Sequence, residues 1–285
     1  MILVTGATGN VGREILKLLA ERRVPAGAMV RDVARAELPP GIVPVAGEFD
    51  DSAALAGALI GVDRAFLLTP SSEEAEARQT RFVAAAAGAG VGHVVKLSQY
   101  GASAASPVRF LRYHAAVETA LQASGLDWSI LRPNLFMQGL LLFAEGIRTG
   151  GTFAAPIGAA KVSVVDVRDI AAAAVAALTG DTHAGRTYTL TGPDAPSHAE
   201  MAAALSGATG RPIRFATISA DEMRAALAAA GMAAWQADGL VGEYPHYCRG
   251  EAAEIAPGVE EATGRPPRGF ADFARDYAGA FTPAP

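Results

Sequence analysis

The sequence predicts an α/β fold: a Rossmann-type, doubly wound parallel sheet with a smaller, mostly helical C-terminal lobe. Three observations lead there. Short runs rich in Val, Ile, Leu or Phe alternate with helical patterns through the first 135 residues. Three glycines, Gly6, Gly9 and Gly12, separate the first run from the first helical pattern. After Pro133 the alternation loosens, and from Ser197 the pattern is mainly helical. Alternating strands and helices imply a parallel sheet covered on both faces, and right-handed crossovers make it doubly wound.

Taken in order, strands are expected at 2–5, 26–31, 42–46, 63–69, 93–98 and 128–132. Helices are expected at 11–22, 52–60, 73–88 and 107–124. The link R-D-V-A-R-A-E leaves room for one or two turns. V-S-V-V-D-V-R-D-I-A-A-A-A-V-A-A-L reads as a short strand and a helix capped by Asp166, with Asp166 and Asp169 as helix-start residues. R-T-Y-T-L-T-G-P reads as a strand near 187–191, ended by Gly-Pro and able to rejoin the sheet. Helices follow at 197–209, 219–230, 232–240 and 269–280, with P-P-R-G-F as the turn before the last. The Ala-rich segments read as helices whose small side chains pack close to a sheet. This divides the chain into a sheet domain over 1–150 and a lobe over 151–285.

Composition narrows the functional classes. Half of the 285 residues are apolar (51%) and 19% are charged, enough for a sizeable core. The net charge is −5 with the signs well mixed, which argues against a nucleic-acid partner. A single cysteine, Cys248, makes no internal disulfide and fits a reducing cytosol. No apolar run approaches the roughly 20 residues of a membrane helix, and no charged leader precedes the first strand. The expectation is a soluble cytoplasmic protein, monomer or homodimer, acting on a small molecule.

The stretch M-I-L-V-T-G-A-T-G-N-V-G-R-E-I carries the sharpest signal. Gly6 allows a tight strand-to-helix turn, Gly9 lets a pyrophosphate approach the main chain, and Gly12 lets the helix sit close to the strand. The helix N-terminus offers free N–H groups and a positive dipole end. Thr8, Asn10 and Val11 belong to the same cofactor turn, the first two with side chains able to hydrogen-bond. The end of the second strand selects the dinucleotide. Val30 stands where NAD sites usually carry an acid, followed by Arg31 and, one turn on, Arg35. Guanidinium groups suit a 2′-phosphate, so NADPH is expected over NADH. Asp32 brings NADH back into contention if its carboxylate faces the site.

T-G-A-T-G-N-V-G, V-R-D-V-A-R-A, G-E-F-D-D-S-A-A-L-A-G-A-L-I-G-V-D, V-V-K-L-S and S-G-L-D-W-S-I-L-R-P-N-L-F-M together resemble the NmrA-like group of atypical short-chain dehydrogenases, over about residues 1–215. The group comprises NADPH-dependent quinone reductases, triphenylmethane dye reductases and redox-sensing regulators. The resemblance implies that Phe49 and Asp50 border the adenine. It implies that Leu68, Thr69 and Pro70 pass along the cofactor, and that Ser98, Pro133 and Asn134 lie near the nicotinamide. Ordinary relatives carry Tyr-x-x-x-Lys on the helix after the fifth strand. Here that helix reads F-L-R-Y-H-A-A-V-E-T-A-L-Q-A-S-G. Four residues after Tyr113 stands Val117. In the better register His114, Glu118 and Leu121 match the frame, so His114 replaces the lysine and Phe110 the tyrosine.

Without that tyrosine, reduction of a simple ketone lacks its acid. A quinone needs none, because its reduced anion is a phenolate with a pKa of about 10. The expected activity is therefore direct hydride transfer from NADPH to a quinone-like or otherwise conjugated acceptor, without flavin or metal. His114, Ser98, Tyr100 and Tyr113 are the candidate catalytic residues. Glu118, one turn beyond His114, is placed to orient it. Lys96 shares a strand face with Ser98 and either reaches the cofactor or snorkels to the surface. Tyr100, Phe136, Met137, Trp235 and Tyr244 are candidates for the acceptor pocket, with His246 beside them. H-Y-C at 246–248 lacks partners at metal spacing. The competing functions are a non-catalytic NADP(H) sensor and a biosynthetic reductase or isomerase on the same scaffold.

Overall fold

The structure, a computed structural model, describes residues 1–283. Its first half follows the alternation: β1 (Ile2–Val4), α1 (Asn10–Glu21), β2 (Ala26–Val30), β3 (Ile42–Ala46), α2 (Ser52–Ala58), β4 (Arg64–Leu67), α3 (Ala75–Gly88), β5 (His93–Leu97), α4 (Arg109–Gln122) and β6 (Asp127–Pro133). The remainder holds β7 (Leu135–Phe136), α5 (Ala144–Gly150), β8 (Thr152–Ala155), β9 (Val164–Val165), α6 (Val167–Thr179), β10 (Arg186–Leu190), α7 (His198–Thr209), β11 (Arg214–Thr217), α8 (Ala220–Ala229), α9 (Ala234–Val241), α10 (Tyr244–Cys248), α11 (Gly258–Thr263) and α12 (Phe270–Asp276).

The central sheet has the order β10-β6-β5-β4-β1-β2-β3. From β3 across to β6 every pairing is parallel. The strand foreseen near 187–191 does rejoin the sheet, beside β6. The strand order reverses between β1 and β4, the switch point where open α/β sheets receive ligands. The interior strands β1, β2 and β5 are buried along their whole length, as strands covered on both faces must be. The edge strand β3 is largely exposed and carries Pro44, a residue that blunts an edge. The link after β2 contracts to one short 3-10 turn, Val33–Arg35.

Two compact units emerge. The first gathers Met1–Pro133, Val167–Thr189 and Gly258–Gly264. Its core joins Leu3, Leu55, Leu59, Leu67, Phe82, Val94, Val117 and Leu121. The alanines of α6 are buried at Ala171, Ala173, Ala174 and Ala177, where their small side chains let the helix lie close against α1 and the sheet. The second unit comprises Asn134–Asp166, Leu190–Pro257 and the chain from Arg265. Its core joins Met137, Leu140, Ile147, Phe153, Leu205, Ile213, Phe270, Phe273 and Phe281. The boundary thus falls at Pro133 rather than near 150, and two later segments return to the sheet unit.

The second unit is less purely helical than its pattern suggests. β11 pairs with β8 in parallel, and β7 with β9. Strands of two to four residues are too short to show a period in the sequence. Its helix starts are clear: Ser197 with Glu200 and Ser219 with Glu222 form reciprocal capping boxes at α7 and α8. Gly269 precedes α12, as the turn at P-P-R-G-F requires. No helix among the described residues is long and apolar enough to cross a membrane.

Candidate functional site

The turn after β1 is built from backbone alone. Gly6 has φ +61°, a left-handed conformation that glycine adopts freely. A Cβ on Gly12 would stand 2.2 Å from the Gly6 carbonyl oxygen, so only glycine fits there. The Gly9 amide donates to Gly6 at 3.0 Å, and Gly9 occupies the N-cap of α1. Among the described residues no side chain caps that helix, and its first turn holds no acidic residue. Its free N–H groups therefore face outward uncompensated, with Thr8, Gly9 and Asn10 exposed around them. Val11 and Gly12 are buried beneath. This cradle fits the pyrophosphate of a dinucleotide.

Thr5, which sequence reasoning missed, ties this turn to the neighbouring strand. Its hydroxyl accepts from the Leu68 amide at 2.9 Å and lies 2.9 Å from the Phe66 carbonyl and 3.0 Å from that of Leu68. Leu68 is thereby held against Gly6 at the switch point. Thr69 is buried and accepts from Gln79 Nε2 at 2.8 Å, Pro70 is exposed, and Ser71 Oγ meets Tyr113 Oη at 3.0 Å.

Arg31 and Arg35 are both exposed just past β2, and no ion pair engages either among the described residues. Asp32 accepts from the Ala34 amide at 3.0 Å and so caps the 3-10 turn. Phe49 packs against Phe82, its centroid 5.9 Å away. The Asp50 carboxylate is bound by Arg78 at 2.6 Å and Arg81 at 3.2 Å, and these arginines, Arg78 first, hold its pKa below the ordinary value. Its oxygens already serve α3.

A buried polar network lies between β5, α4 and β6. Lys96 is fully enclosed; it does not reach the surface as a snorkelling lysine would. Its Nζ donates to the Leu97 carbonyl at 3.0 Å and stands 3.0 Å from His114 Nδ1. Burial brings the Lys96 pKa down to about 7, with Glu118 opposing the fall and Arg132 adding to it. Burial and then the Lys96 charge hold His114 well below the usual imidazole range. Glu118 does not orient His114. Its carboxylate accepts from Ser98 Oγ and from Arg132, at 3.0 Å through Nε and 2.5 Å through Nη2. A bidentate guanidinium is a stronger partner than a neutral imidazole, which explains the difference. Arg132 was also missed; an arginine inside an apolar strand needs a carboxylate, and that was its signal.

Tyr113 is buried, edge-on to Phe110, with its ring 4.2 Å from that of His114. Tyr100 is half-buried, and its amide donates to the Pro133 carbonyl at 2.8 Å. In the second unit, Asn134 is buried and its amide donates to Ser163 Oγ at 2.7 Å and to the Ala252 carbonyl at 2.9 Å. Met137 lies in that unit's core, at 1% exposure, whereas Phe136 and Trp235 are half-buried. Tyr244 is buried edge-on to Tyr247. His246 Nδ1 pairs with Glu251 at 2.7 Å. Asp166 is enclosed directly before α6 and accepts from Gln138 at 2.9 Å; Asp169 is buried in the first turn of α6.

Comparison with known proteins places the chain in a family. The model of the NmrA-like family matches residues 1–245. The chain belongs to the NmrA-like family. It is 42% identical to an NAD(P)H azoreductase of Xenophilus azovorans, over 99% of each chain. It is also 42% identical to a (4-alkanoyl-5-oxo-2,5-dihydrofuran-3-yl)methyl phosphate reductase of Streptomyces griseus, over 99% of this chain and all of the relative. Among solved structures, an NADPH-dependent quinone oxidoreductase from Escherichia coli, in complex with NADPH, superimposes with a TM-score of 0.86. That match has 26% identity and covers 97% of this chain and 99% of the other.

Proposed function

We propose that this protein is an NADPH-dependent oxidoreductase that reduces a quinone-like or otherwise conjugated small molecule by direct hydride transfer. The observation that carries the reading is the 42% identity, end to end, with an NAD(P)H azoreductase, in a chain whose dinucleotide cradle is intact. A bound NADPH would supply the hydride. The chain's own part is to hold and orient that cofactor. The turn at Gly6, Gly9 and Gly12 would take the pyrophosphate on uncapped amides of α1. Arg31 and Arg35 would take the 2′-phosphate, with Asp32 turned into its own loop. Leu68, fixed through Thr5, and Thr69 and Pro70 after it would line the cofactor's path. Phe110 stands where carbonyl-reducing relatives would carry a phenol, which favours acceptors whose reduced anion is weakly basic. Neither flavin nor metal enters the proposed transfer. The setting is the cytoplasm, with the protein as monomer or homodimer.

The relationship to the dihydrofuranone phosphate reductase favours a second reading, reduction of a conjugated double bond in a small biosynthetic intermediate. One assay separates them. Purified protein is mixed with NADPH and, in turn, quinones, azo dyes and unsaturated lactones, following loss of reduced-nicotinamide absorbance. Oxidation by quinones or azo dyes supports the first reading, and by lactones alone the second. Tight NADPH binding, by fluorescence, with no oxidation across the panel overturns both and leaves an NADP(H) sensor.

A further inference from the structure

The enclosed lysine of β5 has no counterpart in the roles assigned above. Lys96 Nζ donates to one carbonyl, and its other near neighbour is His114 Nδ1, at 3.0 Å. An ammonium has three donors and no acceptor. The contact is therefore a hydrogen bond only if Nδ1 offers its lone pair, which puts the proton of the neutral imidazole on Nε2. An imidazolium would set two donors face to face in a site closed to water. Nε2 has no partner among the described residues, and it is not one of the polar atoms sealed off without one, which are Gln79 Oε1 and His198 Nδ1. His114 keeps 7% exposure.

We propose that Lys96 is a positioning residue: it fixes His114 as the Nε2–H tautomer, so that the imidazole presents a hydrogen-bond donor to an oxygen of the bound dinucleotide or of the reduced acceptor. This rests on the oxidoreductase reading for its ligand, but not for the tautomer. The groups that face Lys96 are His114 and Glu118 from α4, Arg132 from β6 and the Leu97 carbonyl of its own strand. Glu118 sustains the ammonium and Arg132 opposes it. Below about 7 Lys96 is charged and the tautomer is fixed. Above that, a neutral amine can accept as well as donate, and the preference relaxes. When the acceptor is an anion formed by hydride arrival, Nε2–H can give it a proton while Nδ1 takes one from the ammonium. The anion becomes neutral and Lys96 becomes an amine; a proton taken up at His114 Nε2 then lets Nδ1 return its own to the lysine, which restores the starting state.

The test is nitrogen NMR of histidine-labelled protein, with His114 assigned through His114→Gln. In the unsubstituted protein, His114 should show the Nε2–H tautomer well below pH 7 and a mixture well above it. Lys96→Met should give the mixture at both, while NADPH oxidation loses the high-pH limb set by Lys96. Two arms distinguish the oxygen served. A kcat that falls roughly tenfold with NADPH affinity unchanged points to the reduced acceptor, whereas a roughly tenfold weaker NADPH affinity points to the dinucleotide. An Nδ1–H or imidazolium form in the unsubstituted protein overturns the proposal, and so does a His114 spectrum that Lys96→Met leaves unaltered. The titration of the unsubstituted protein decides the matter even if the variant does not fold. If no acceptor is turned over but the tautomer behaves as described and NADPH binding depends on Lys96, the activity reading fails and this one stands.

Discussion

The glycine turn after β1 and the polar network between β5, α4 and β6 belong to the same sheet unit, yet they are made of opposite materials. The turn uses main-chain amides, and its residues matter for the side chains they lack. The network uses a lysine, a histidine, a glutamate, a serine and an arginine, supplied by β5 and the residue after it, α4 and β6; the first four are buried and the arginine is half-buried. A backbone site is specified by consecutive residues, so it tolerates no added atom. A side-chain site is specified by partners, so it tolerates no missing one.

The largest expected effect tests the first half of that contrast. Gly12→Val places a Cβ within 2.2 Å of the Gly6 carbonyl oxygen. It should cost about 4 kcal/mol, with NADPH affinity down roughly a hundredfold, measured by urea denaturation and cofactor fluorescence. A variant that stays stable and binds NADPH normally would break the contrast.

Removing a partner should come next. Glu118→Ala leaves Arg132 and Ser98 without their shared acceptor. Because the Arg132 side chain keeps 32% exposure, the loss should lie near the low end for a broken buried pair, about 3 kcal/mol. Glu118→Gln should recover part of it. If both variants unfold at the same urea concentration as the original, the network contributes no stability.

His198 sharpens the contrast, because it is buried without the partner that His114 has. It lies among Phe153 and Phe215 with Nδ1 unpaired, and burial lowers its pKa from 6.5 to about 4. With the folded value depressed, the unfolded chain binds the extra proton first. Stability is therefore complete above pH 6.5 and declines as pH falls through about 4, by about 3 kcal/mol in all. His198→Leu should flatten denaturation midpoints between those pH values. An unaltered slope would mean that this imidazole is not the group responsible.

The smallest effects concern the exposed loop after β2. Arg31→Ala with Arg35→Ala should reduce the preference for NADPH over NADH ten- to a hundredfold, about 1.5–3 kcal/mol. Asp32→Ala should remove a cap worth about 1 kcal/mol and leave that preference unchanged, as competition between the two cofactors would show. A shift toward NADPH in Asp32→Ala would mean that its carboxylate faces the ribose after all.

Much of this was legible in the sequence. Every strand of the first half, the turn at Gly6, Gly9 and Gly12, the helix starts at Ser197 and Ser219 and the return of the strand near 187–191 follow from periodicity, glycine spacing and capping chemistry. These are local rules, acting between residues a few positions apart. The short strands β8 and β11 were not legible, since each gains its stability only from the other, 62 positions away at Thr152 and Arg214. The same holds in the network. Periodicity placed Glu118 on the face of His114, but Arg132, arriving from β6, took the carboxylate, and Lys96, arriving from β5, took the histidine.

The doubly wound sheet and the dinucleotide turn are thus written into the order of residues, because hydrophobic period and missing side chains act locally along the chain. Which charged groups meet inside the fold is settled by packing. Removing an ion from water is so unfavourable that each enclosed group takes the best partner within reach, and reach inside a fold is measured across strands and helices rather than along the chain.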